Sequence, residues 1–320
     1  MKIIIPDDYQ NAVMHLDCFK LLKDHQVVIY NETEQDIDKL AAKFSDADAL
    51  VLIRERTEIS EALLSRLPNL KLISQTGKIS HHLDLNACTR HKVAVAEGVG
   101  SPVAPSELTW ALIMNAVRQL PQAIQAMKDG KWQVNIGSTV HGKTIGIWGY
   151  GKIGKKVAQY AQAFGATVLV WGSENSRNEA VKDGFQAASG KSDFFRNADI
   201  ITLHLRLNGE TTGIVTESDL LDMKKEAIIV NTSRAELIAA GALASALKKG
   251  HPGFAAVDVY EQEPVYDPDY ELLQIPNVIC TPHLGYVEQN SYELYFEKAF
   301  ENVIHYASGK PSNIVNPEVL

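Results

Sequence analysis

Lys143-Thr144-Ile145-Gly146-Ile147-Trp148-Gly149-Tyr150-Gly151-Lys152-Ile153-Gly154 is the stretch whose reading decides the fold. It reads as a strand, a glycine turn and the start of a helix. Ile145 and Ile147 bring the β-branched bulk of a buried parallel strand. Gly149 lets the chain turn sharply, Gly151 removes a side chain so that a diphosphate can approach the backbone, and Gly154 lets the helix pack close to the sheet. The helix N-terminus then presents N–H groups and a positive dipole end to the phosphates. Such a glycine pattern alone is a weak signal, because a tight turn without a ligand uses the same residues. Its flanks add weight. Lys155 to Phe164 is helical in pattern, Gly165 can stop it, and Ala166-Thr167-Val168-Leu169-Val170-Trp171 reads as a second strand. Strand, helix and strand together span about 30 residues, the length of a dinucleotide-binding βαβ unit.

The chain around this unit has 320 residues, enough for two domains. Its 45% hydrophobic and 22% charged residues are those of a globular protein. A net charge of −8 argues against bulk attraction to nucleic acid or anionic lipid. No apolar run reaches the roughly 18–20 residues of a spanning helix. Met1-Lys2-Ile3-Ile4-Ile5-Pro6 is too short in apolar content for a signal peptide and reads as a first strand. Cys18, Cys88 and Cys280 are far apart, with neither a disulfide pattern nor metal-ligand spacing. A reduced, cytoplasmic protein without a metal is expected, with no nucleic-acid or membrane partner.

The first hundred residues alternate strand and helix: strands at 3–5, 27–30, 49–53, 70–74 and 93–96, helical stretches at 13–22, 36–44, 61–67 and 84–91. That alternation predicts a parallel sheet covered on both faces. Gly98, Gly100, Pro102 and Pro105 mark a hinge, and Ser106 is placed to cap a helix from Glu107 to about Arg118 that is apolar nearly all round. Such a helix is covered on more than one side, by the other domain or by a second subunit. After the glycine unit, strands are expected at 144–148, 167–171, 200–204, 227–231, 255–259 and 278–280, six in all, as in a doubly wound dinucleotide fold. From Val287 a long helix carries Tyr292, Tyr295, Phe296, Ala299, Phe300, Val303 and Tyr306 at helical spacing, read as core packing. The expected domains are 1–100 plus 287–320, and 101–286.

Ligands of an open parallel sheet sit beyond the carboxyl ends of its strands. After 227–231 comes Arg234, after 255–259 comes Glu263, and after 278–280 comes His283. An arginine fork can hold a carboxylate by two parallel hydrogen bonds. A histidine can give a proton to a carbonyl oxygen and remove it in reverse. A glutamate on the other imidazole nitrogen would fix the tautomer and favour the imidazolium. Asp258 could accept from a nicotinamide amide. Each residue alone could be a surface group or a satisfied partner; three complementary types on one edge point to chemistry.

With these stretches in view, the sequence resembles the D-isomer-specific 2-hydroxyacid dehydrogenase family over nearly its whole length. The matching stretches are Gly149-Tyr150-Gly151-Lys152-Ile153-Gly154, Asn231-Thr232-Ser233-Arg234, Asp258-Val259-Tyr260-Glu261-Gln262-Glu263-Pro264 and Thr281-Pro282-His283-Leu284-Gly285. The resemblance implies two doubly wound α/β domains, a flavodoxin-like substrate domain formed by both chain ends and a central Rossmann nucleotide domain. It also implies a homodimer, hydride transfer between NAD(P)H and a small 2-keto or 2-hydroxy acid, and catalysis by Arg234, Glu263 and His283. Cofactor contacts are expected at Gly149, Gly151, Lys152, Ile153, Gly154, Ser173, Glu174, His204, Thr232, Asp258 and Gly285. Backbone amides near Gly77, Lys78 and Ile79, with Arg234, are expected to bind the substrate carboxylate.

Several positions depart from the family pattern. Ile79 stands where many relatives carry glycine, Arg206 where proline is usual, and Ala235 where glycine follows the arginine. Trp171 is followed by Gly172-Ser173-Glu174, so the acid that bonds the cofactor ribose is absent or two places on. Glu174 reaching the ribose, and Ser173 with Arg177 accepting an NADP phosphate, are the two alternatives; NAD is the expected cofactor and NADP stays open. A cofactor-sensing, corepressor-like protein on the same scaffold is the competing reading. The complete Arg-Glu-His set weighs against it, and Glu263 weighs against formate chemistry, which moves no proton.

Overall fold

The computed structural model describes all 320 residues, Met1–Leu320. They divide into two compact units, Met1–Ser101 with Glu288–Leu320, and Pro102–Val287.

The first unit is built on β1 (Lys2–Ile5), β2 (Gln26–Ile29), β3 (Ala49–Leu52), β4 (Leu72–Gln75) and β5 (Ala94–Ala96), all parallel, in the order β2-β1-β3-β4-β5. Its helices α1 (Ile37–Phe44), α2 (Glu61–Leu64) and α3 (Leu85–Arg90) each begin behind a polar cap. Asp36, Ser60 and Asp84 accept hydrogen bonds from first-turn N–H groups that have no partner inside the helix. Ile4, Phe44, Leu50, Leu52, Ile73 and Val95 fill the core under these helices.

One predicted helix is broken. Residues 13–22 form two separate 3-10 turns, Val13–His15 and Asp17–Leu22, with Leu16 extended between them. The Asp8 carboxylate accepts from the N–H groups of Ala12 and Val13 at 3.0 and 2.9 Å. The Glu293 carboxylate accepts from those of Asp17 and Cys18 at 2.6 and 3.1 Å. Two acidic groups each draw off a pair of backbone donors, so a continuous helix does not form.

The second unit holds β6 (Thr144–Trp148), β7 (Thr167–Trp171), β8 (Gln186–Ala187), β9 (Ile200–Leu203), β10 (Ile228–Asn231), β11 (Phe254–Val257) and β12 (Val278–Cys280). The sheet is parallel, in the order β12-β11-β10-β9-β6-β7-β8. Successive residues bury into opposite faces: Ile145, Ile147, Val168, Val170, Ile228 and Val230 into one core, Trp148, Leu169, Ile201, Ile229 and Val257 into the other. A strand buried on both faces reads as a continuous apolar run, as these do. The sheet has seven strands rather than the six expected, because β8 is two residues long and leaves no periodicity to read.

The helices of this unit are α4 (Val103–Arg118), α5 (Leu120–Lys128), α6 (Lys152–Ala163), α7 (Glu174–Lys182), α8 (Lys191–Asn197), α9 (Glu217–Leu221) and α10 (Ala242–Lys248). The first begins at Val103, not Glu107. Pro105 lies in its first turn, where a missing N–H costs nothing, and Ser106 bonds back to the Val103 carbonyl at 2.7 Å instead of capping. This helix packs on α6, β10 and β11. The last helix, α11 (Gln289–Ala307), belongs to the first unit and lays Tyr292, Tyr295, Phe296, Ala299, Phe300 and Val303 against β3, β4 and the 17–22 turn. No helix is long and apolar enough to cross a membrane.

Candidate active site

In the second unit β6 has β7 on one side and β9 on the other, so the strand order reverses at its carboxyl end. A doubly wound sheet opens its ligand crevice at such a point. The glycine turn lies there. Gly149 has φ +101°, and a Cβ on it would come within 2.5 Å of the His204 carbonyl oxygen. A Cβ on Gly154 would overlap the Gly149 carbonyl oxygen, so only glycine lets α6 sit this close to the turn. Gly151 differs: a Cβ there would meet nothing within 4 Å. Bare backbone at the start of α6, facing open space, fits a diphosphate. Lys152 is exposed and Ile153 half-buried at the same helix end.

The second strand of the unit ends at Trp171. Ser173 caps α7, accepting from the Ser176 N–H at 3.3 Å, and Glu174 stands exposed on its first turn. The Arg177 guanidinium lies 4.9 Å from the Trp171 ring centroid, and its enclosed Nε has no hydrogen-bond partner. Beyond β9, His204 Nε2 is 3.0 Å from Thr202 Oγ1 while its enclosed Nδ1 is unpartnered. Burial pushes the His204 pKa down to about 3, so this ring is neutral near pH 7 and offers a hydrogen bond rather than a charge. Arg206 is exposed.

The three neighbouring strands β10, β11 and β12 carry the Arg, Glu and His. Asn231 closes β10 and organises the turn after it: its side chain accepts from the Ser233 N–H at 3.1 Å and donates to the Arg234 carbonyl at 2.8 Å. The half-buried Arg234 donates from Nη1 to the Ser233 carbonyl at 2.6 Å. Thr232 turns toward α4 and shares a 2.7 Å hydrogen bond with Thr109.

Glu263 and His283 are brought into direct contact, Oε2 to Nδ1 at 2.5 Å. The other carboxylate oxygen of Glu263 accepts the Tyr260 N–H at 3.0 Å, and the Tyr260 hydroxyl donates to the Thr281 carbonyl at 2.9 Å. Both partners are therefore held. His283 has φ +50°, a backbone conformation that costs a non-glycine residue energy and persists only when its surroundings impose it. Asp258 helps to impose it. Its Oδ1 accepts from Thr281 Oγ1 at 2.6 Å and the Leu284 N–H at 2.7 Å, and its Oδ2 from the Gly285 N–H at 2.9 Å. Burial pushes the Asp258 carboxyl above its ordinary range, while these donors and the nearby His283 pull it back. Asp258 thus braces the His283 turn from within the chain, which leaves about one of a carboxylate's four acceptor positions for a cofactor amide. Asn231, Tyr260 and Thr281 lie within the stretches that carry the resemblance but have no assigned role there; an Asn closing an apolar strand is the one visible signal among them.

In the first unit the loop after β4 carries Gly77, Lys78 and Ile79. The Ile79 N–H donates to Glu97 Oε1 at 3.0 Å, and Lys78 Nζ lies 2.5 Å from Glu97 Oε2. His82 is buried with Nε2 3.4 Å from Gln75 Oε1, and His81 is exposed.

A family model described as "D-isomer specific 2-hydroxyacid dehydrogenase, NAD binding domain" matches residues 110–285. The chain belongs to the D-isomer specific 2-hydroxyacid dehydrogenase family. It is 34% identical over 295 residues to the glyoxylate reductase of Aeropyrum pernix, covering 88% of this chain and 87% of that one. The solved structure of a phosphoglycerate oxidoreductase from Vibrio cholerae O395 is 54% identical, covers 97% of this chain and 99% of its own, and superposes with a TM-score of 0.94. The D-lactate dehydrogenase of Aquifex aeolicus, solved with NAD and lactic acid, is 25% identical with a TM-score of 0.81 over 98% of this chain and 99% of that one. This chain spans 50% to 59% of the length of curated D-3-phosphoglycerate dehydrogenases it matches. It carries the NAD binding domain of a family of oxidoreductases, and the bare backbone at Gly151 fits that cofactor's diphosphate.

Proposed function

We propose that this 2-hydroxyacid dehydrogenase homologue reduces small 2-keto acids to 2-hydroxy acids and runs the reverse oxidation. Glyoxylate, hydroxypyruvate or a phosphoglycerate-like acid is the substrate class. The observation that carries the reading is the Glu263–His283 pair, 2.5 Å apart, with the second oxygen of Glu263 tied to the Tyr260 N–H. A carboxylate on Nδ1 keeps the proton there, so Nε2 is the nitrogen that gives and takes one. In reduction His283 Nε2–H donates to the keto oxygen; in oxidation neutral Nε2 removes the hydroxyl proton. NADH, when bound, supplies the hydride. Arg234 offers the substrate carboxylate a two-bond fork. In the first unit, the Gly77, Lys78 and Ile79 amides are read as carboxylate donors. Initial rates with NADH against glyoxylate, hydroxypyruvate, pyruvate, phenylpyruvate, 2-ketoisocaproate and 3-phosphohydroxypyruvate test it. Turnover of at least one acid is expected; none, despite cofactor binding, contradicts the reading.

We infer that the chain accepts NADP as well as NAD. The half-buried Arg177 guanidinium is held over Trp171 with an unpartnered Nε, and Glu174 is exposed at the helix start. Titration of tryptophan fluorescence gives both dissociation constants. Arg177→Met is expected to raise the Kd of NADPH relative to that of NADH by about tenfold, the loss of one charge-assisted contact. An unchanged ratio removes Arg177 from the reading.

We also infer a homodimer. Ile124, Met127, Trp132, Val134 and Ile136 stand exposed on α5 and the segment after it, a large apolar surface for a monomer to leave in water. Sedimentation equilibrium should return twice the chain mass of 35.2 kDa; the single mass contradicts this. Three free cysteines, two of them buried, fit the reducing cytoplasm, which cell fractionation checks.

A further inference from the structure

The loops that follow β3, β4 and β5 meet at one edge of the first unit. Gly98 sets their contact: a Cβ on it would come within 2.5 Å of the Gln75 carbonyl oxygen and 2.7 Å of the Gly77 nitrogen. Its N–H donates to the Gly77 carbonyl at 2.7 Å. Two backbones in direct contact leave no room to slide. The backbone of Glu97 is held as well, its N–H by the Asn313 carbonyl at 3.0 Å and its carbonyl by the Asn302 side chain at 3.2 Å. The Glu97 carboxylate is thus positioned by rotation about its own side-chain bonds alone.

That carboxylate sits in an anion receptor. Oε1 takes the Ile79 N–H at 3.0 Å and Oε2 the Lys78 ammonium at 2.5 Å. The Glu97 side chain is 16% exposed and that of Lys78 68%. The Arg54 guanidinium lies against Gly77, close enough that a Cβ there would overlap it. A cationic edge with a backbone donor suits one carboxylate, and the chain supplies that carboxylate itself.

We propose that Glu97 is a resident competitor for the substrate carboxylate and so sets the affinity of the chain for its acid; this rests on reading Gly77, Lys78 and Ile79 as the carboxylate receptor. A keto acid arriving at these donors meets a like charge and a donor already in use. It binds fully only when Glu97 rotates away, and the exposed Lys78 side chain is free to follow it. Glu97 as a simple brace for the loop predicts the opposite sign, since removing a brace disorders the receptor and weakens binding.

The test is steady-state kinetics of the full chain with NADH and either glyoxylate or hydroxypyruvate. Glu97→Gln keeps the shape and an acceptor for Ile79 but removes the charge; Glu97→Ala empties the place. The expected result is a KM lowered by about tenfold in Glu97→Ala and by less in Glu97→Gln, the change falling on KM rather than kcat. A KM unchanged or raised in both variants, with the natural chain active, overturns the competitor and leaves the dehydrogenase reading standing. No turnover of either acid by the natural chain or the variants overturns both.

Discussion

Replacing His283 by glutamine lowers kcat by about a thousandfold while the Kd of NADH stays within about twofold. The size follows from the loss of a general acid placed within reach of the reacting oxygen, a contribution of roughly 10²–10⁴ in rate. Glutamine still offers an amide N–H, but its pKa lies far from any value that releases a proton in turnover. The position also tests itself for folding. His283 has φ +50°, a conformation that asparagine tolerates better than most residues. His283→Asn therefore relieves any backbone penalty of the substitution and should be equally inactive. Activity restored by Asn would show that the turn, and not the imidazole, carries the effect. Stopped-flow rates and a fluorescence titration of NADH separate the two parameters.

Arg234→Gln lowers kcat/KM for the keto acid by about 10²–10³, the worth of a two-bond charge-assisted contact plus the orientation it enforces. Its backbone is fixed by Asn231 on both sides, so a replacement side chain starts from the same place. Arg234→Lys keeps the charge but loses the planar fork, and should recover only a small part of the loss. If lysine restores the rate to within about twofold, point charge suffices and the fork has no role. If glutamine leaves kcat/KM within about fivefold, the carboxylate is held elsewhere.

Much of this architecture was legible because its causes are local. A βαβ unit declares itself through apolar runs and glycines spaced by one turn, and Gly149, Gly151 and Gly154 lie where those runs place them. Arg234, Glu263 and His283 were visible because each lies in the loop that follows an apolar strand. What was hidden depends on partners far away in sequence. The 13–22 segment is split by carboxylates at 8 and 293, and no window around residue 16 contains the second. Asp258 reads as a ligand-facing group at a strand end, yet three donors from 281–285 take it up. Glu97 gave no signal at all, because its meaning lies in Lys78 and Ile79 across a strand pair. The two-residue β8 escaped because a strand that short has no pattern.

The proposed reaction is hydride transfer to the keto carbon with a proton from His283. NADH deuterated at the transferring position of the nicotinamide ring, mixed with the protein and a turned-over 2-keto acid, tests it in one product analysis. One deuterium at C2 of the 2-hydroxy acid is expected for each NADH consumed, with the same label formed about a thousandfold more slowly when His283→Gln is used. NADH consumption with unlabelled hydroxy acid, or none with any acid of the panel, contradicts it.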